Sequence, residues 1–202
     1  MVTIEVQTDL RRDRILNSSA ILFCEHGYAG VSMRKIANSC DMKAGSLYYH
    51  FSSKDQILTE VLRIGIQKVH AAVAFALSEA PQNTCAIDRL VRAISGHLHT
   101  LLKYSSFTSA NVRIFRQVPA SIQQSNLDVR RAYEDLWDGF LRELAADGLL
   151  RSNVDLRSFR LMLLGALNAT LEWFDPDLGD IDELAGRYAD MLASGIIIER
   201  SL

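Results

Sequence analysis

Proline occurs at only three of 202 positions, Pro81, Pro119 and Pro176. Each falls where an apolar periodicity of helical spacing breaks. Proline removes a backbone donor and clashes with the preceding turn of a helix. Such sparse placement leaves long stretches open to helix. Strand signals are nearly absent, with no extended alternating run and no Asn-Gly hairpin turn. An all-α chain is expected, and its 49% hydrophobic content is enough for a real buried core.

The first helix is expected over 9–26, where Ile15, Leu16, Ser19, Ala20, Leu22 and Phe23 make one stripe. Gly27 suits the stop after it. Ser32 suits the N-cap of a short helix over 33–39, and a second short helix follows over 44–50. Ser52 or Ser53 caps a long helix reaching about residue 79. Asp55 in its first turn complements the helix dipole. Further helices are expected near 84–103, 107–117, 126–147, 155–174 and 180–199. Asn153 or Asp155 caps the fourth of these and Asp180 the fifth. The expected division is an N-terminal domain over 1–52 and a C-terminal helical domain over 53–202, joined by the long helix.

Residues 32–51, SMRKIANSCDMKAGSLYYHF, carry the chemistry. Two short helices with a tight turn fit a helix-turn-helix. Ala37 is small where the helices touch. Ile36, Met42, Leu47 and Phe51 fill a small core with Ile15, Leu22 and Phe23. That leaves Arg34, Lys43, Ala44, Ser46, Tyr48, Tyr49 and His50 outside. A face that is small, hydroxyl-bearing, aromatic and basic suits a DNA major groove, which the second helix enters N-terminus first. Taken singly, each of these residues could equally be an ordinary surface or packing residue. The spacing over twenty residues favours the DNA interface.

The stretches RILNSSAILFCEHGYAGVSMRKIA and GSLYYHFSSKDQIL resemble the TetR family of regulators. The likeness covers about residues 10–60. Beyond them it rests on helix count, length and a WF-x-P-like element at 173–176. It implies a homodimer on a palindromic double-stranded DNA operator, released by a small-molecule effector. It also implies roles by position. Arg34 reaches base edges or phosphate; Lys43, Ala44 and Ser46 line the start of the recognition helix. Tyr48 and Tyr49 meet phosphate or apolar base edges, and Ser32, His50 and Lys54 meet phosphates. Two positions depart from the family pattern. Asp41 stands where glycine is usual, and aspartate tolerates left-handed backbone better than most residues. Lys43 stands where Ser or Thr is usual; it cannot cap but can reach phosphate or guanine.

Composition adds restraint. The net charge is −2, and residues 1–55 hold seven Lys/Arg against six acids. DNA binding therefore depends on where a few cations sit, not on bulk charge. Cys24, Cys40 and Cys85 show no CxxC spacing, the polar N-terminus has no signal-peptide pattern, and no run approaches membrane-spanning length. A reducing cytoplasm is expected, with the cysteines as small buried hydrophobes.

The C-terminal half suggests an effector site in outline. Candidate contacts are Phe107, Arg113, Arg116, Trp137, Phe140, Asn168 and Trp173, each of which could also be plain core or surface. Asn168 interrupts the apolar run LMLLGALNATL and needs a partner, internal or ligand. Arg113 and Arg116 could meet an anionic group or form a solvated edge. His97 and His99, two apart, are a poor metal pair. Helices over 155–174 and 180–199, rich in Gly and Ala, suit either a dimer interface or the monomer core. Their layout, NATLEWFDPDLGDIDELAGRYADMLASG, resembles the TetR subgroup that senses acyl-CoA thioesters. No nucleophile elbow, phosphate-cradling loop, HExxH or cysteine-rich metal pattern is found, so neither a catalytic site nor a metal or cofactor is expected. The rivals to a regulator are an enzyme, against which these absences weigh, and an interaction module that has lost DNA binding.

Overall fold

The computed structural model describes residues 2–196, which contain helices and no strand. The order is α1 (Val2–His26), α2 (Met33–Ser39), α3 (Ala44–His50), α4 (Lys54–Ser78), α5 (Ala86–His99), α6 (Ser106–Ile114), α7 (Ala120–Ser125), α8 (Leu127–Ala146), α9 (Leu156–Ala169) and α10 (Ile181–Ile196). A π-helical turn, Thr100–Tyr104, follows α5, and 3-10 turns follow α6 and α9.

The expected caps decide most boundaries. Gly27 ends α1 at φ 66°. Ser53 Oγ accepts from the Gln56 N–H at 3.2 Å, while Gln56 Oε1 accepts from the Ser52 N–H at 2.8 Å. This reciprocal arrangement satisfies donors that a helix start leaves unpaired. Asp155 caps α9 through the Ser158 N–H, and Asp180 caps α10 through the N–H groups of Asp182 and Glu183. Several expectations need correction. The first helix begins seven residues earlier than 9. The helix over 84–103 is α-helical only to His99. The 155–174 helix tightens after Ala169, and α7 had no forecast. The last residues of the forecast 180–199 helix lie outside the described ones. By length and composition α4 would suffice to cross a membrane, contrary to the sequence reading. Its Ile57, Leu58, Val61 and Leu62 are instead fully buried in protein.

The chain forms two compact units. The first comprises residues 1–66 and 105–129, the second 67–104 and 130–202. In the first, Ile15, Phe23, Ile36, Leu47, Phe51, Ile57, Leu58 and Leu62 form a sealed core with Phe107 and Ile114. Asn111 donates to Leu62 O at 2.8 Å, and Thr108 Oγ1 donates to Gly65 O at 3.0 Å. These bonds hold α6 close against α4. A Cβ at residue 65 would lie 2.2 Å from Phe107 O, so this crossing requires glycine.

In the second unit α5 packs on α10. Arg160 is buried between α8 and α9 and reaches Asp138 at 2.7 Å and Glu134 at 3.1 Å. Arg89 lies over the Phe140 ring at 5.1 Å and pairs with Glu143. At the centre, His97 Nδ1 sits 2.6 Å from the Tyr133 hydroxyl, and Tyr133 meets Trp137 edge-on. Burial pushes the His97 imidazole down to about 4, opposed by the Asn168 amide, and pushes the Tyr133 phenol up.

The unfolded chain takes up the His97 proton near 6.5 and the folded chain only near 4. Stability is therefore full above that window and falls with pH through it, by up to roughly 3 kcal/mol. Urea unfolding of wild type and His97→Asn between pH 7.5 and 4.5 should show a steeper loss in wild type. Parallel curves would mean that His97 is protonated in the fold.

Candidate nucleic-acid interface

The α2–α3 turn sets the geometry of the motif. The Met42 N–H donates to Ala37 O at 2.9 Å and the Asp41 N–H to Asn38 O at 3.2 Å. This is the hydrogen-bond pattern of a Schellman stop, which wants left-handed backbone at its C′ residue. Asp41 supplies it at φ 54°, the sole non-glycine residue with positive φ among those described. Its carboxylate takes a hydrogen bond from Arg14 at 2.9 Å. Ala37, 1% exposed, lies where α2 approaches α3, and Ile36, Leu47 and Phe51 are sealed beneath them. Met42 and Leu22 are partly buried against the same core.

What remains outside is the expected face. Arg34, Lys43, Ala44 and Ser46 are exposed, Tyr48 is 55% exposed and Tyr49 83%. Arg34 makes no ion pair among the described residues. Lys43 occupies the N-cap position of α3, where an ammonium has no lone pair to accept the capping bond, and its side chain is exposed. Ser32 Oγ accepts from the Lys35 N–H at 3.2 Å and keeps its own proton for a further acceptor. His50 is half-buried; desolvation first, then Arg11 and Arg12, hold its imidazole below its ordinary value.

Lys54, expected to meet phosphate, is engaged within the fold. Its Nζ donates to Tyr28 O at 3.0 Å and Val31 O at 3.2 Å, and it lies over the Tyr28 ring at 3.9 Å. The Tyr28 hydroxyl donates to Asp55 Oδ1 at 2.8 Å, which raises the phenol's pKa. The first turn of α4 therefore grips the loop between α1 and α2. Arg12 makes a second strut. Its guanidinium reaches His50 O and the Glu60 carboxylate and covers the Phe51 ring at 4.3 Å. Sequence reading missed Arg12 and Tyr28. Their partners lie 26 to 48 residues away, and no local spacing signals such pairs.

The expected effector contacts are dispersed. Phe107 is sealed in the core of the first unit, where Arg113 and Arg116 are exposed. Trp137 and Phe140 are buried in the second unit, where Asn168 is half-buried and Trp173 is 58% exposed. A hollow of about 310 Å³ in the second unit is lined by Leu77, Pro81, Arg89, Leu144 and Leu149 among others. None of the seven expected residues lines it. Cys85, expected to be buried, is exposed, and its sulfur accepts from the Asp88 N–H.

Residues 15–61 match the family model for bacterial regulatory proteins of the tetR family, and residues 83–196 match that for the tetracyclin repressor-like C-terminal domain. The chain belongs to the TetR family. Among TetR regulators, the transcriptional repressor KstR2 of Rhodococcus jostii strain RHA1 is 24% identical over 191 residues, spanning 92% of this chain and 91% of its own. The crystal structure of PfmR from Thermus thermophilus matches with a TM-score of 0.78 and 27% identity, over 94% of this chain and 98% of that one. FadR from Bacillus subtilis, crystallised with stearoyl-CoA, shares the fold with a TM-score of 0.75 and 23% identity, over 90% of this chain and 97% of that one. As a TetR protein the chain is a ligand-responsive, DNA-binding regulator of transcription.

The left-handed turn yields a stability test. Asp41→Ala forces a Cβ-bearing residue with no local polar group into that region and should cost about 1 kcal/mol. Asp41→Gly should be neutral to within about 0.5 kcal/mol, because an exposed ion pair contributes little. Equal losses in urea unfolding would place the cost in the Arg14 pair instead.

Proposed function

We propose that this TetR regulator binds a palindromic operator as a homodimer, represses transcription there, and lets go when a small lipophilic effector is bound. The observation that carries the reading is the outward face of α3. Leu47 is sealed inward, while Ala44, Ser46, Tyr48 and Tyr49 stand out beside Lys43 and Arg34. In this proposal Lys43, Ala44 and Ser46 line the groove-facing start of the recognition helix. Arg34, Ser32, Tyr48, Tyr49 and His50 meet phosphate or neighbouring bases, and Lys54 acts by positioning the motif. The DNA-binding domain is taken as 1–52 and the effector and dimer domain as 53–202. The working place is the cytoplasm, and no catalytic step is assigned.

The dimer proposal is supported by the outer surface of α9 and α10. Leu161, Met162 and Met191, with Trp173 of the segment that joins the two helices, are all more than half exposed. Gly165 and Gly186 have open space where a Cβ would stand, so a partner helix could approach closely. Ala189 and Ala193, in contrast, are consumed by the monomer core. An acyl-CoA thioester is the proposed effector class, on the sequence layout of the last helices and the shared fold with FadR. Lys54, Asp55 and Glu60 tie the first turns of α4 to the helix-turn-helix. Displacement of α4 by an effector would therefore carry the motif with it. Half-sites lie roughly 34 Å apart or a multiple of that, so a small change loses one of them.

Selection from random duplex DNA, with wild type beside Arg34→Ala and Tyr49→Ala, tests this. Wild type should enrich a palindrome that the variants lose or relax, and an acyl-CoA should then release the recovered duplex. Enrichment of nothing, or of the same palindrome at equal strength by both variants, would refute the assigned interface. Retention of the duplex across an acyl-CoA panel would remove that effector class.

A further inference from the structure

Beside the recognition helix the first unit carries a concave groove of about 420 Å³. Arg11 and Arg14 of α1, Asp41 of the turn, and Lys43 and Ser46 at the start of α3 line it. Arg11 and Arg14 are three residues apart and so share one helix face. Three cations and a hydroxyl thus converge on one hollow from two elements distant in sequence. One acid sits among them. Asp41 accepts from Arg14 at 2.9 Å, with the side chains 87% and 58% exposed. An exposed pair of this kind is held weakly. A phosphodiester offers the guanidinium the same two-oxygen acceptor as a carboxylate does. The charge of Arg11 is also felt at the far end of α3, where after desolvation it helps hold the His50 imidazole low. The α1 arginines therefore run alongside α3 and add positive charge along its flank.

The geometry points to a phosphate seat beside the recognition helix, in which Arg11, Arg14, Lys43 and Ser46 receive a phosphodiester of the DNA backbone and Asp41 is the internal acceptor that Arg14 leaves to do so. This rests on the DNA-binding reading and deepens it. It adds α1 to the interface, and it gives the carboxylate at Asp41 a role. Asp41 keeps Arg14 extended over the groove in the free protein and weakens contact with any duplex until the phosphate displaces it. Contacts of this kind set register and affinity, not sequence choice.

The test is the salt dependence of binding to one fixed duplex, read by fluorescence anisotropy between about 50 and 300 mM KCl. Wild type is compared with Arg11→Ala, Arg14→Ala, Arg14→Lys and Asp41→Asn, with thermal melts confirming that each is folded. Each alanine variant should flatten the slope of log K against log salt by about one and bind roughly five- to tenfold more weakly at about 0.1 M. Arg14→Lys should restore the slope. Asp41→Asn keeps a residue that tolerates left-handed backbone and should bind more tightly than wild type. Unchanged slopes in both alanine variants, with wild type binding normally, would overturn the seat and leave the DNA-binding reading standing. Failure of wild type to bind any duplex would bring down that reading and the seat with it. Inorganic phosphate at millimolar concentration should displace no more duplex than KCl of equal ionic strength. Greater displacement would make the groove a free-anion site and overturn its assignment to DNA.

Discussion

A helix of seven residues has no stability of its own, because the cost of nucleating it exceeds what two turns return. The recognition helix Ala44–His50 is such a helix, and it lacks a side-chain N-cap. It exists because Leu47 and Phe51 are sealed against α1, α2 and α4, each burial contributing roughly 2–3 kcal/mol. Everything proposed for its outer face depends on that inner face. Three further constraints fix its direction. The Schellman stop at Asp41 sets the angle to α2, Arg12 holds the His50 carbonyl end, and Lys54 with Asp55 holds the loop that leads into α2. The basic and aromatic side chains are therefore presented by a scaffold that is already shaped before DNA arrives.

The same struts explain how a regulator of this architecture can be switched. The first turns of α4 grip the motif through charge-assisted hydrogen bonds to backbone carbonyls, which are stronger than neutral ones. The close crossing of α4 and α6 is held by Asn111, Thr108 and the absence of a side chain at Gly65. An element so tied cannot shift alone. In the second unit the buried contacts are of another kind. Arg160 is held between two carboxylates, and the His97–Tyr133–Trp137 cluster is aromatic and polar together. Such polar groups in a core are costly unless every partner is in place.

The helix-turn-helix was legible in the sequence because its constraints are local. Ser32, Ala37 and Gly27 lie within a few residues of what they cap, touch or terminate. Asp41 was readable as a left-handed turn residue for the same reason. Helix ends were less legible. The π-helical turn after His99 and the 3-10 turns after α6 and α9 continue the apolar periodicity while changing the backbone. The hold of Lys54 on Tyr28 and Val31 was not legible, because both partners lie more than twenty residues back along the chain. The placement of the seven expected effector contacts was the least legible. Spacing along a helix says which side chains share a face, but not that Phe107 would be sealed in one unit and Trp137 in the other.

The central claim is that two copies of the α3 face read two half-sites on one side of a duplex. Hydroxyl-radical footprinting on the selected operator tests it most directly. The expected pattern is two symmetric protected patches whose centres lie about 10 base pairs, or a multiple of that, apart. A single patch, or protection on opposite faces of the duplex, would contradict the account.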